Sequence, residues 1–266
     1  MAFHPPPGVF NGLGSLRLIH GLGAGVNALL DAPGRPPKVP VARVVGEELT
    51  QGMAQHVVHA VVRETRDYRV YDAQQRAKLW QRRTQRHARD ITVGIMGFGA
   101  IGEGVARALT PLGYCLRGWS RTRRAINGVE SFAGEGEMEA FLRGTLVLVL
   151  LLPSTPETRG IVNAHRLMML PHGAVLVAAG RGGQVDEAAL LDALGSGQIS
   201  HAYLDVFEEE PQPPGSPLWD HPGITMTPHI AGAPHPAAVA ALIMENLARV
   251  EAGQPPLHAV NERKGY

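Results

Sequence analysis

Gly97-Phe98-Gly99-Ala100-Ile101-Gly102 stands between an apolar run, Ile91-Thr92-Val93-Gly94-Ile95-Met96, and a stretch with helical spacing. A glycine triplet of this spacing constrains little by itself. Between a strand and a helix it is the fingerprint of a dinucleotide-binding βαβ unit. Gly97 permits the tight turn, Gly99 lets the backbone approach a pyrophosphate, and Gly102 lets the helix pack closely on the strand. The first N–H groups of that helix, around Ala100 and Ile101, would then face the phosphates, where the helix dipole favours negative charge.

Residues 114–119 read as the next strand, and that strand runs into Ser120-Arg121-Thr122-Arg123-Arg124. Sites for NAD usually carry Asp or Glu there, about 20 residues past the first glycine, to bond the ribose hydroxyls. No acidic residue lies between Tyr114 and Glu130. A hydroxyl followed by guanidinium groups suits a 2′-phosphate instead, because Arg offers planar paired donors to phosphate oxygens. Ser120, Arg121 and Arg123 therefore point to NADP(H) rather than NAD(H).

The remaining composition mostly excludes. A net charge of +1 over 266 residues gives no reason to expect nucleic acid or an anionic membrane as partner. The first residues lack the basic start and apolar core of a signal peptide. The longest apolar run, residues 146–152, is too short to cross a bilayer and reads as a buried parallel strand. The single cysteine, Cys115, falls within a predicted strand and is expected to be buried and inert, in keeping with a reducing cytosol. No metal site is assigned.

Along the chain, residues 16–20 read as a short strand entering the loop Gly21-Leu22-Gly23-Ala24-Gly25, and residues 31–40 as a Pro/Gly-rich loop. Leu49, Met53, Val57, Ala60 and Val61 recur at helical spacing over residues 47–63. A basic stretch with Arg76, Lys78, Arg82, Arg83, Arg86 and Arg89 reads as a solvated helix and linker between lobes. Past Ile91, strand and helix patterns alternate. The helix over residues 101–112 would turn Val105, Leu109 and Leu112 to the sheet. Asp186 would cap the helix over 187–196, with Gly197 just past its end. Such alternation implies an α/β fold with a doubly wound parallel sheet and right-handed crossovers. The predicted division is a dinucleotide-binding domain over residues 49–235 and a smaller lobe over 1–48, completed by 236–266 and its helix over 236–252.

In such a sheet the ligand lies at the carboxyl ends of the strands. Arg181, Glu210 and His229 follow three successive predicted strands there. A cation, an acid and an imidazole in one crevice suit reduction of a 2-oxo acid. Arg181 would hold the substrate carboxylate and polarise the ketone. His229 would give a proton to the carbonyl oxygen as hydride arrives, and Glu210 would orient the imidazole.

These pieces, with Leu22-Gly23-Ala24-Gly25-Val26, Leu152-Pro153-Ser154-Thr155-Pro156, Gly180-Arg181-Gly182, Asp205-Val206-Phe207-Glu208-Glu209-Glu210-Pro211 and Thr227-Pro228-His229, occur in a telling order. In that order the chain resembles the D-isomer-specific 2-hydroxyacid dehydrogenases, most closely the glyoxylate/hydroxypyruvate reductase A type. The resemblance implies the roles given to Arg181, Glu210 and His229. It also implies that backbone N–H groups of Gly23, Ala24 and Gly25 meet the substrate carboxylate. Asp205 would bond the nicotinamide carboxamide, while Leu152, Pro153 and Gly180 would line the cofactor. A cytoplasmic homodimer reducing glyoxylate and hydroxypyruvate with NADPH completes what it implies.

The match departs at the start. Relatives carry a flavodoxin-like lobe that begins with a strand, a helix and a second strand. Here the chain opens near the end of that second strand, at Phe3-His4-Pro5-Pro6, so that about one βαβ unit is wanting and an upstream start is expected. Gly180 stands where relatives have Ala and would loosen the placement of Arg181. The competing reading is a shortened relative that binds or senses NADP(H) without catalysis.

Overall fold

The structure, a computed structural model, describes residues 5–261. It divides into a smaller unit, residues up to Leu49 and from Ala233 onward, and a larger unit, Thr50–Gly232. Phe3 and His4 of the proposed chain opening, and residues 262–266 of the small lobe, lie outside the described residues.

In chain order the elements are β1 (Ile19–His20), α1 (Asn27–Leu30), β2 (Val41–Ala42), α2 (Glu47–Thr65) and α3 (Tyr68–Arg76). Then come β3 (Thr92–Met96), α4 (Ala100–Leu109), β4 (Cys115–Ser120), β5 (Val129–Ala133), α5 (Met138–Arg143) and β6 (Val147–Leu150). The chain continues with α6 (Ala164–Met169), β7 (Ala174–Ala178), α7 (Glu187–Gly195), β8 (Ile199–Leu204), β9 (Ile224–Met226) and α8 (Pro236–Glu251).

The larger unit is built on one seven-stranded sheet of order β5-β4-β3-β6-β7-β8-β9, with every pair parallel. The order reverses between β3 and β6, which is the switch point of a doubly wound sheet. Strand residues alternate between two cores. Val147, Val149, Val175 and Val177 join Met53, Val57 and Val61 of α2 and Val105 and Leu109 of α4 on one face. Leu148, Leu150, Leu176 and Ala178 join Phe141 and Leu142 of α5 and Leu190 of α7 on the other. Both faces are covered, as a wholly parallel sheet requires.

Two elements escape the sequence patterns. Strand β5, Val-Glu-Ser-Phe-Ala at the sheet edge, has no fully buried residue and so no clear periodicity. Helix α5 is only six residues long. Three expectations are corrected. Helix α4 stops at Leu109, since Pro111 has no N–H to continue the ladder; Leu112 closes a 3-10 turn and is exposed. Cys115 is exposed as the first residue of β4, with its thiol donating to the Arg89 carbonyl at 3.0 Å. The basic stretch lies inside the larger unit rather than between lobes. Its Arg83 N–H donates to the Tyr71 hydroxyl at 3.1 Å, and Gln85 donates to Asp67 at 3.1 Å.

In the smaller unit β1 pairs with β2 in parallel. His20 and Asn246 of α8 are both buried. The His20 Nδ1–H donates to the Gly21 carbonyl at 2.6 Å, so Nε2 accepts from the Asn246 amide at 3.1 Å. Burial pushes the His20 pKa down, which keeps this neutral pairing. The loop that follows is tied by Gly21 N–H to the Ala42 carbonyl and by Val44 N–H to the Gly23 carbonyl, at 2.9 and 3.0 Å. No helix of the described residues is long and apolar enough to cross a membrane.

Candidate active site

The glycine turn sits at the switch point, between the ends of β3 and β6. Gly97 has φ +106°, and a Cβ there would lie 2.5 Å from the Leu151 carbonyl carbon. A Cβ on Gly102 would lie 2.6 Å from the Gly97 carbonyl oxygen. Sterics thus exclude side chains at the first and third glycines. Gly99 differs, because a Cβ there would point into open space. The first helical bond of α4 runs from Glu103 N–H to the Gly99 carbonyl, and no side chain caps the helix. The N–H groups of Ala100, Ile101 and Gly102 precede that bond at the end of the helix that attracts anions. An open approach at Gly99 beside uncapped amides fits a pyrophosphate.

On one side of the turn, β4 ends at Ser120, whose hydroxyl donates to the Thr122 carbonyl at 2.7 Å. Arg121 is exposed. Arg123 bonds the Ser131 carbonyl and pairs with Glu137, so its guanidinium is already engaged. On the other side, the chain leaves β6 through Leu152 and Pro153 to a turn capped by Thr155 and Thr158. Glu157 in that turn has its pKa lowered, first by the Thr155 hydroxyl and also by the Arg121 charge.

Gln184, which the motifs did not single out, joins this turn to Arg181. Almost fully buried, it donates to the carbonyls of Leu152 and Pro153 at 2.9 and 3.0 Å, and its Oε1 accepts the Arg181 N–H at 3.3 Å. Gly180 is closely packed rather than loose: a Cβ there would lie 2.8 Å from Gln184 Oε1 and 3.0 Å from the Leu152 oxygen. The Arg181 guanidinium donates to the Gly180 carbonyl at 2.6 Å. A Cβ on Gly182 would collide with the Phe207 carbonyl, so the Arg181 loop presses on the segment leading to Glu210.

Glu210 and His229 meet. Glu210 Oε1 accepts the Phe207 N–H at 2.9 Å, and Oε2 stands 2.7 Å from His229 Nδ1. An ionised carboxylate can only accept, so Nδ1 carries the hydrogen and Nε2 is left for proton exchange. The two side chains are 30% and 46% exposed, which leaves the pair open to a small molecule. His229 itself has φ +55°, a conformation few non-glycine residues adopt. Asp205, just past β8, turns its carboxylate onto residues 227–231. Oδ1 accepts from the Thr227 hydroxyl at 2.6 Å and from Ile230 N–H at 2.8 Å, and Oδ2 accepts from Ala231 N–H at 2.8 Å. Thr227 stands in the Thr227-Pro228-His229 piece but receives no role from the sequence, because a strand-end threonine gives no such signal until its partner is known.

Residues 58–231 match the D-isomer specific 2-hydroxyacid dehydrogenase family, NAD binding domain. Among solved structures, a D-isomer specific 2-hydroxyacid dehydrogenase from Xanthobacter autotrophicus Py2, in complex with NADPH and MES, is 45% identical. It aligns over 98% of this chain and 83% of its own, with a TM-score of 0.92. An NADPH-dependent glyoxylate/hydroxypyruvate reductase from Sinorhizobium meliloti, in complex with NADP and sulfate, is 40% identical over 94% of this chain and 80% of its own, with a TM-score of 0.89. A D-isomer specific 2-hydroxyacid dehydrogenase family protein from Klebsiella pneumoniae 342 is 38% identical over 97% of this chain and 83% of its own, with a TM-score of 0.91. The chain belongs to the D-isomer specific 2-hydroxyacid dehydrogenase family.

Proposed function

We propose that this chain reduces small 2-oxo acids, glyoxylate and hydroxypyruvate among them, to 2-hydroxy acids with NADPH. The observation that carries the reading is the Glu210–His229 pair at 2.7 Å, at the carboxyl end of the sheet whose switch point holds the glycine turn. When bound, NADPH supplies the hydride. Gly97, Gly99 and the amides of Ala100, Ile101 and Gly102 would hold its pyrophosphate, and Leu152, Pro153 and Gly180 would line it. Ser120 and Arg121 would take the 2′-phosphate, with Arg123 contributing only by exchanging Glu137 for that phosphate. The Sinorhizobium meliloti reductase bound to NADP supports this preference, as does the lack of an acidic residue just after β4.

Arg181 would draw the oxo acid carboxylate and polarise its ketone. His229 Nε2 would deliver the proton to the carbonyl oxygen, with the ring held at Nδ1 by Glu210. The backbone of Gly23, Ala24 and Gly25 is assigned to the substrate carboxylate by the family resemblance. The same resemblance carries a cytoplasmic homodimer. A dimer by light scattering supports that part, and a monomeric wild type contradicts it. The activity is tested by loss of NADPH absorbance on adding glyoxylate or hydroxypyruvate. Tight NADPH binding with no turnover of either acid would replace this reading with that of a nucleotide-sensing relative.

A further inference from the structure

We propose that Glu137 is a specificity-determining residue: its carboxylate competes with the cofactor's 2′-phosphate for Arg123, and so limits the preference for NADPH over NADH. This rests on the placement of that phosphate at Ser120, Arg121 and Arg123 given above. The turn after β4 lacks the acid that NAD sites usually carry there, yet the fold brings one in from the next strand. Ser120 at the end of β4 pairs in register with Ala133 at the end of β5, and the Gly134 N–H donates to the Ser120 carbonyl at 3.1 Å. Glu137 lies four residues past Ala133, and its Oε2 accepts the Ala133 N–H at 2.7 Å. The acid is thus fixed beside the strand end that carries Ser120.

Its other oxygen, Oε1, accepts from the Arg123 guanidinium, which also donates to the Ser131 carbonyl of β5. Both partners are tied to the same strand, so the pair is held in place from each side. The Arg123 and Glu137 side chains are 56% and 39% exposed, which lets a phosphate reach the guanidinium and keeps the pair weak enough to exchange. A phosphate carries more charge than a carboxylate and takes paired Arg donors, so it wins the exchange. NADH has a hydroxyl at that place and leaves the pair intact. NADPH gains Arg123 only by breaking it. Selectivity is a difference between two affinities, and Glu137 subtracts from one of them alone.

The test compares Glu137→Gln with wild type, alone and together with Arg123→Ala. A Gln amide keeps one oxygen for the Ala133 N–H and removes the charge that holds Arg123. Since an exposed ion pair is worth up to about fivefold, the Kd for NADPH, from fluorescence titration, should fall about three- to fivefold. The Kd for NADH should stay within about twofold. Arg123→Ala alone should weaken NADPH, and adding Glu137→Gln to it should change the Kd by less than about twofold, because the coupling runs through the guanidinium.

Two results would overturn the proposal: Glu137→Gln that binds NADPH no more tightly than wild type, or a gain that persists in full without Arg123, which marks plain charge repulsion. Arg123→Ala with wild-type affinity for NADPH would instead refute the placement of the 2′-phosphate at Arg123, and the proposal would fall with it. Every arm is a binding measurement, so absence of turnover with an oxo acid refutes the proposed activity and leaves this result standing.

Discussion

The turn after β3 and the segments after β8 and β9 serve one sheet end by opposite means. The first is made by removing side chains: Gly97 and Gly102 leave no room for a Cβ, and Gly99 leaves open space where one would stand. The second is made by adding polar side chains, with Glu210 on the His229 ring and Asp205 on the Thr227 hydroxyl and the backbone of residues 230 and 231. A site built on sterics is rigid once the fold forms. A site built on hydrogen bonds can be weakened one bond at a time with the fold intact. Damage to the first should therefore appear in binding or folding, and damage to the Glu210–His229 pair in turnover.

The largest effect expected from breaking this contrast is in His229→Gln. General acid catalysis contributes about 10²–10⁴-fold, so kcat should fall by that much while NADPH binds as before. Steady-state rates beside a fluorescence titration would check it, and a parallel loss of NADPH affinity would merge the two regions. Gly99→Leu tests the other side. Because the space there is open, the protein should keep its melting temperature yet bind NADPH at least about tenfold more weakly, each tenfold being about 1.4 kcal/mol. Gly102→Val, by contrast, should cost the fold itself.

A smaller change sharpens the cofactor assignment. Arg121→Ala should weaken NADPH about tenfold, the worth of roughly one charge-assisted hydrogen bond, and leave NADH unchanged. Equal loss of both would show that Arg121 does not discriminate the 2′-phosphate.

The smallest effect comes from β8 itself, away from the site. Burial pushes the His201 pKa down from 6.5 to about 4, while its Nε2 faces the Thr225 hydroxyl at 2.9 Å. Between those values the unfolded chain binds the proton and the folded one does not. The stabilising contribution is therefore complete above pH 6.5 and is lost as pH falls towards 4. Melting temperature should drop by a few degrees between about pH 7 and 5, and His201→Gln should flatten that slope. An unchanged slope would contradict it.

How far the residues foretold this depends on range. The glycine turn was legible because its requirements are local: strand, three spaced glycines, helix. Strands β6 and β7 were legible because burial on both faces leaves continuous apolar runs. Strand β5 was not, since an edge strand is defined by its pairing with β4, and Glu130 and Ser131 carry no apolar signature. Cys115 misled for a related reason: strand position predicts burial only away from strand ends. In the candidate site, Arg181, Glu210 and His229 could be named from their places after successive strands. Gln184 and Thr227 could not be given a role, because an uncharged polar residue of this kind is recognised by its partners, and those lie 31 or 32 and 22 residues away.

The central claim is that the cofactor at the glycine turn and the acid at His229 act on one carbonyl. It is tested most directly by a single turnover with NADPH deuterated at nicotinamide C4 and excess hydroxypyruvate, with the product read by mass spectrometry. The account predicts deuterium at C2 of the hydroxy acid with wild type and none within the same time with His229→Gln. Product lacking the label, or labelled equally fast by His229→Gln, would contradict it.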